Sequence, residues 1–226
     1  KLATLVAILA IGQFGSQPVA AGEQKAVLVT GASTGIGRNM TERLAAEGYF
    51  VYAGARKDAD LAELDAIENV KSVRLDVTSQ EQVDAAVAMI VKEGRGLWGL
   101  VNNAGVATSG PVASLEDADL DVVLSVNVNG VVRVTRAFIP LIVESKGRIV
   151  TTGSVSGILS SPGSSAYSMS KHAMEAFTDS LAREMEPAGV AVSVIEPGSY
   201  KSHIRRTAVA RIKKNIETAG VELTDD

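Results

Sequence analysis

Ala26-Val27-Leu28-Val29-Thr30-Gly31-Ala32-Ser33-Thr34-Gly35-Ile36-Gly37 is a short aliphatic run that breaks into a glycine-rich turn. A helical pattern through Met40 to Ala46 follows directly. Ala26 to Thr30 is apolar without alternation, as expected for a strand covered on both faces. The glycines let the backbone turn tightly between strand and helix. They also let it approach a pyrophosphate, whose charge then lies at the positive end of the helix. An ordinary strand-to-helix turn is the plainer reading. No Gly-Lys-Ser/Thr ending is present, which disfavours a nucleoside-triphosphatase loop.

Outward from this unit, aliphatic runs alternate with helical patterns at intervals of roughly 20 to 30 residues, the rhythm of βαβ units. The further candidate strands are Phe50 to Gly54, Ser72 to Leu75, Leu97 to Asn102, Arg148 to Thr152 and Val190 to Ile195. Together they predict an α/β, three-layer, doubly wound parallel sheet (Rossmann fold) with strand order 3-2-1-4-5-6. Helix punctuation is expected from a Thr78-x-x-Glu81 capping box, from Ser114 as an N-cap, and from Gly48 and Pro187 with Gly189 as terminators.

The chain of 226 residues is 46% hydrophobic, 4% aromatic and 21% charged, enough for one sizeable core and too apolar for a disordered chain. With 22 basic and 26 acidic residues its net charge is −4, and a pI near 5.3 gives no electrostatic reason to bind nucleic acid. The absence of cysteine removes disulfides, thiolate metal sites and a cysteine nucleophile. Two separated histidines, His172 and His203, do not make a metal site, so none is expected.

Residues Leu2 to Phe14 are almost continuously apolar and give way to a small, polar stretch ending Val19-Ala20-Ala21. That layout fits a signal segment, and an anchor or a helix packed on the body are the alternatives. The run is short for a transmembrane helix, which needs ~20 apolar residues. We therefore divide the chain into residues 1–22, a signal-like, anchor or packing segment, and 23–226, a nucleotide-binding catalytic domain with a substrate lid around 199–220.

The spacing of Gly31, Gly35 and Gly37 resembles the short-chain dehydrogenase/reductase family, and the resemblance continues along nearly the whole body. Asn102-Asn103-Ala104-Gly105 is similar to its Asn-Asn-Ala-Gly signature. Asn127 matches its active-site asparagine, Ser154 its serine, and Tyr167-x-x-x-Lys171 its catalytic pair. Pro197-Gly198 follows the sixth strand as expected. Residues near Met174 to Leu181 resemble the branch of retinol, 17β-hydroxysteroid and 3-hydroxybutyrate dehydrogenases. The resemblance implies an oxidoreductase acting on a secondary alcohol or ketone, including lipophilic steroid- or retinoid-like ones, and a homo-oligomer.

Hydride exchange with an alcohol carbon requires a proton at the alcohol oxygen. A tyrosine serves if nearby positive charge draws down its pKa of ~10. Tyr167 and Lys171, four apart, share a helix face, so Lys171 is expected to favour the phenolate. A hydroxyl at Ser154, beyond a strand's carboxyl end, is placed to orient a carbonyl. The resemblance adds ribose contacts for Lys171 and a proton-relay water for Asn127. A hydrolase elbow is disfavoured because the centre of Gly153-Ser154-Val155-Ser156-Gly157 is valine. His172 points ~100° away from Lys171 and reads as a surface or packing residue.

The expected cofactor-binding set is Gly31, Ser33, Thr34, Gly35, Ile36, Gly37, Arg56, Asp76, Val77, Asn103, Ala104, Gly105, Tyr167, Lys171, Pro197, Gly198 and Ser202. After the second strand, Ala55-Arg56 offers no carboxylate for a ribose 2′-hydroxyl and an arginine for a 2′-phosphate, so NADP(H) is expected ahead of NAD(H). Asp58 and Asp60 read as first-turn residues of the next helix. Beyond Gly198, Ile204, Ala208, Ile212 and Ile216 form an apolar stripe flanked by basic residues, read as the lid, with anionic lipid or an acidic substrate as alternatives. The resemblance implies a further helix and a seventh strand, for which the residues before Asp226 are too few, so that strand is expected to be missing.

Two other functions fit parts of this pattern. One is a non-catalytic NAD(P)-binding sensor or interaction module on the same fold. The other is a sugar-nucleotide epimerase, for which little substrate domain is available. Small-molecule substrates are expected, with membrane association through residues 2–14 as an option. A signal-like start favours export or a membrane, whereas a soluble nicotinamide cofactor favours the cytoplasm.

Overall fold

The computed structural model describes residues 24–198. The N-terminal segment, Ser202, His203 and the expected lid lie outside the described residues. Six strands, β1 (Ala26–Val29), β2 (Phe50–Ala55), β3 (Val70–Arg74), β4 (Gly99–Asn102), β5 (Arg148–Thr152) and β6 (Ala191–Ile195), form one sheet of order β3-β2-β1-β4-β5-β6. All five pairings are parallel. Crossovers are made by α1 (Gly35–Ala46), α2 (Asp58–Asp65), α3 (Gln80–Glu93), α4 (Asp117–Leu124), α5 (Val131–Glu144) and α6 (Ser165–Met185).

Alternate strand residues feed two cores because successive side chains leave opposite faces of a sheet. Val27, Val29, Val51, Ala53 and Val101 pack with Ala45 of α1 and Leu64 of α2. Leu28, Tyr52, Leu100 and Ile149 pack with Ile90 of α3, Phe138 and Ile142 of α5 and Leu181 of α6. Both faces are thus covered, which explains the unbroken aliphatic strands.

Several local boundaries differ from expectation. β3 begins at Val70 rather than Ser72, because Asn69 takes a positive φ of 61° and turns the chain into the strand at that point. β4 begins at Gly99 rather than Leu97. The cap of α3 is Ser79, whose hydroxyl accepts from Gln82 N at 3.3 Å. Thr78 instead donates from its amide and hydroxyl to Asp76 Oδ1, so the expected capping box does not form. Ser114 lies in a 3₁₀ turn and donates to Pro111 O, leaving Glu116 at the N-cap of α4. Gly48 and the Pro187–Gly189 turn end α1 and α6 as expected.

Between α4 and α5, Ser125–Gly130 forms a π-helical segment, so Asp117–Glu144 is one continuous helical stretch. By length and composition alone it is apolar enough to cross a membrane. In the fold, Val123, Val131, Val134, Phe138 and Ile142 from this stretch are buried in the protein.

Phe138 has no exposed surface and anchors the larger core. Phe138→Ala is expected to lower unfolding free energy by about 3–5 kcal/mol. Urea denaturation followed by circular dichroism measures this as a lower midpoint at an unchanged slope.

Candidate active site

The strand order reverses between β1 and β4, so the loops leaving these two neighbours diverge and open a crevice at their carboxyl ends. Thr30 closes its floor. The Thr30 hydroxyl donates to Val101 O at 3.3 Å and accepts from the amides of Asn103 at 2.9 Å and Ala104 at 3.0 Å. Asn103 Nδ2 returns to Thr30 O at 2.9 Å and Gly31 O at 3.1 Å. The glycine loop and the Asn-Asn-Ala-Gly loop are therefore locked together.

Two glycines make that approach sterically available. A Cβ on Gly37 would lie 2.3 Å from Gly31 O and 2.4 Å from Asn103 Nδ2. Gly31 has φ 64°, and a Cβ there would meet Ala104 Cα at 2.8 Å. The first-turn amides of α1 lack intrahelical acceptors and face the crevice with the positive end of the helix dipole.

The crevice is a cleft of about 620 Å³. Gly31, Ser33, Thr34, Gly35, Ile36, Gly37, Arg56, Asp76 and Val77 line one end of the set, and Asn103, Ala104, Gly105, Ser154, Tyr167, Lys171, Pro197 and Gly198 complete it. Asn127 stands behind this wall, 1% exposed. The glycine cradle, with backbone approach that a Cβ would block, fits a dinucleotide phosphate group.

At the end of the cleft beyond β2 and β3, Arg56 is an exposed side chain whose guanidinium lies 3.6 Å from Asp76. Its carbonyl accepts from Arg74 at 2.6 Å, and Arg74 also pairs with Asp58 in the first turn of α2. Burial alone would raise the Asp76 pKa, but hydrogen bonds from Thr78 and the Arg56 charge hold it below the ordinary carboxylate range. Asp60 also lines the cleft beside Arg56, besides its place in the first turn of α2.

At the other end, Ser154 lies two residues beyond β5, in extended conformation at the start of a 3₁₀ turn, and is 8% exposed. Its loop is tied to β6 by Gly153 N to Ile195 O at 2.8 Å and by Val155 N to Pro197 O at 3.3 Å. Tyr167 and Lys171 project from one face of α6, with Lys171 Nζ 5.6 Å from the Tyr167 ring centre. Lys171 is 5% exposed and donates to Thr152 O at 2.7 Å. Burial pulls the Lys171 pKa down to about 8, against an opposing pull from the Glu175 charge. Burial raises the Tyr167 pKa above its ordinary value, opposed by a hydrogen bond with Ser154. The expected lowering of the phenol by Lys171 does not occur: burial sets the direction, and what opposes it is the hydrogen bond with Ser154.

Glu175, one turn beyond Lys171, packs its carboxylate between Gly153 and Gly157, where a Cβ on either would approach Oε1 to 2.8 Å. Burial, Glu196 and Asp179 raise its pKa, and Lys171 and His172 oppose them. His172 itself is exposed and bonds through Nδ1 to Ser168 O at 2.9 Å. Among the described residues no cluster of candidate metal ligands occurs.

Sequence reasoning passed over Thr30 and Ser170. The position of Thr30 at the strand end, and of Ser170 three residues after Tyr167 on the same helix face, were the available signals.

The description short chain dehydrogenase belongs to the family profile that matches residues 25–213. The rat mitochondrial D-beta-hydroxybutyrate dehydrogenase is 40% identical over 187 residues, covering 78% of this chain and 54% of the relative. Rat retinol dehydrogenase 7 is 35% identical over 209 residues, covering 90% and 65%. The chain thus spans between half and two thirds of these relatives. Among solved structures, a short-chain dehydrogenase from Streptomyces avermitilis aligns with a TM-score of 0.76 at 35% identity, covering 80% of this chain and 68% of that one. A 3-ketoacyl-(acyl-carrier-protein) reductase from Brucella melitensis complexed with NADH aligns with a TM-score of 0.78 at 28% identity, covering 82% and 80%.

Gly37→Ala is expected to force the two loops apart, because both obstructing groups are fixed by hydrogen bonds. Fluorescence titration with NADPH should show affinity at least about tenfold weaker, with a lower melting temperature.

Proposed function

The chain belongs to the short-chain dehydrogenase family, and from that premise we propose that it is an NADP(H)-dependent oxidoreductase interconverting a secondary alcohol and a ketone. The observation that carries this reading is the convergence of Ser154, Tyr167 and buried Lys171 on the cleft that also holds the glycine cradle. Bound nicotinamide would supply or accept the hydride at the substrate carbon.

The residues account for the proton. In the reducing direction the Ser154 hydroxyl orients the carbonyl, and the neutral Tyr167 phenol gives its proton to the oxygen as the carbon–oxygen double bond becomes single. Desolvation, which keeps the phenol protonated, suits this acid role. The phenolate left behind faces the Lys171 ammonium on the adjacent turn and is reprotonated from solvent. In oxidation the same atoms run in reverse, with the phenolate taking the alcohol proton.

Arg56 supports the phosphorylated cofactor. Among the described residues its exposed guanidinium pairs with Asp76 at 3.6 Å, while Arg74 fixes its backbone, which leaves much of it open to a 2′-phosphate. Exposed Ile158 and Leu159, with Val155 lining the cleft beside Ser154, favour substrates with an apolar portion.

Nicotinamide absorbance followed over a panel of ketones and secondary alcohols tests the reading. Tyr167→Phe is expected to lower kcat by at least about a hundredfold with cofactor affinity retained. Turnover that survives this substitution removes the acid–base assignment. Cofactor binding without turnover of any panel member favours a nucleotide-binding module instead. Arg56→Ala should lower kcat/KM with NADPH by about tenfold or more and leave NADH nearly unchanged. A wild type no better with NADPH than with NADH rejects the phosphorylated cofactor.

The pH dependence follows from Lys171. Its ammonium persists below a pKa of about 8 and is lost above it. The kcat/KM for ketone reduction should therefore fall as pH rises through about 8, and the limb should move to higher pH in Lys171→Arg, whose charge persists.

A further inference from the structure

Ser170 has no exposed surface, although it lies between the two residues of the Tyr167–Lys171 pair. Its hydroxyl donates to Tyr167 O at 2.7 Å and accepts from Asn127 Nδ2 at 3.0 Å. The second hydrogen of Asn127 Nδ2 goes to Val106 O at 2.9 Å, and Asn127 Oδ1 accepts from Val106 N at 2.8 Å. Both donor hydrogens of the Asn127 amide are therefore committed. Through this one hydroxyl, three segments of different origin meet: the loop after β4, the π-helical segment and the catalytic face of α6.

The meeting point is close to the reacting groups. A Cβ on Gly105 would lie 3.4 Å from Asn127 Oδ1 and 4.0 Å from Lys171 Nζ, so the loop passes within contact distance of both the amide and the ammonium. A buried network in which every member is satisfied fixes one arrangement, because any shift leaves a polar group unpaired in a low-dielectric interior. The bond to Tyr167 O acts on the helical turn that carries both Tyr167 and Lys171.

We infer that Ser170 is a positioning residue that sets the Tyr167–Lys171 turn against the Asn127 segment and thereby aligns the phenol and the ammonium in the cleft. The functional part of this inference rests on the oxidoreductase reading above. A serine serving only as a local helix back-bond would need no partner on another element, whereas Ser170 has one.

The test uses the full chain and Ser170→Ala, which removes both bonds and leaves unpaired the Asn127 hydrogen that Ser170 accepts. Hydrogen exchange should quicken by about tenfold in peptides covering residues 105–107 and 125–130, with the sheet unaffected. Steady-state kinetics with NADPH and a turned-over ketone should show kcat about tenfold lower at KM values within about twofold of wild type. Should that variant fail to fold, Ser170→Cys carries the same comparison, because a thiol accepts a hydrogen bond only weakly. Unchanged exchange, or kcat within about twofold of wild type, overturns the inference. Quickened exchange in a protein whose wild type turns over no substrate overturns the oxidoreductase reading and leaves the structural link standing.

Discussion

The close approach of the loops leaving β1 and β4 is the constraint on which the rest depends. Parallel neighbours whose connections depart to opposite faces leave a crevice between them, and its width is set by how nearly the two backbones touch. Here Thr30 and Gly31 exchange side-chain and backbone hydrogen bonds with Asn103 and Ala104 across that seam, at distances of 2.9–3.1 Å. Glycine at 31 and 37 removes the atoms that would hold them apart. Since the same turn begins α1, the locked seam also aims the free helix-start amides into the cleft. One steric condition thus produces both the close approach of the two loops and the aim of the helix-start amides.

The opposite wall is ordered by polar groups that never reach the cleft. Asn102 Nδ2 donates to Thr135 of α5 at 2.8 Å, and Arg133 of the same helix donates to Val77 O at 2.7 Å. A Cβ on Gly130 would meet Val77 Cγ2 at 2.6 Å, so the π-helical segment presses against the loop carrying Asp76 and Val77. The loops after β3 and β4 are therefore referenced to one long helical stretch. Asn127 lies outside the cleft lining, and its side chain joins the loop after β4 to α6.

Much of this was legible because the informative residues act locally. The doubly apolar strands announce a covered parallel sheet, and Gly31-x-x-x-Gly35-x-Gly37 announces a tight strand-to-helix turn. Tyr167 and Lys171 share a face by helix periodicity alone. What stayed hidden depends on tertiary context. Thr78 had an equally good claim to cap α3 as Ser79 until Asp76 engaged its hydroxyl. Ser170 looks like an ordinary helix-interior serine until Asn127, 43 residues earlier in the chain, arrives beside it. The upward direction of the Tyr167 pKa turns on depth of burial, which a helix pattern does not show.

That burial has an energetic side. Lys171 falls from an ordinary 10.5 to about 8, which corresponds to ~3 kcal/mol against holding its ammonium in the folded chain. The sign follows from proton counts. Between about 8 and 10.5 the unfolded chain holds the lysine proton and the folded chain does not, so this contribution to stability rises with pH across that window. Below about 8 the cost is present in full. The bond to Thr152 O recovers part of it, and the Glu175 charge opposes the shift. A residue placed for packing alone would be better replaced by an apolar side chain of similar volume. Here the lysine is kept, buried beside Tyr167 on the wall of the cleft that holds the glycine loop.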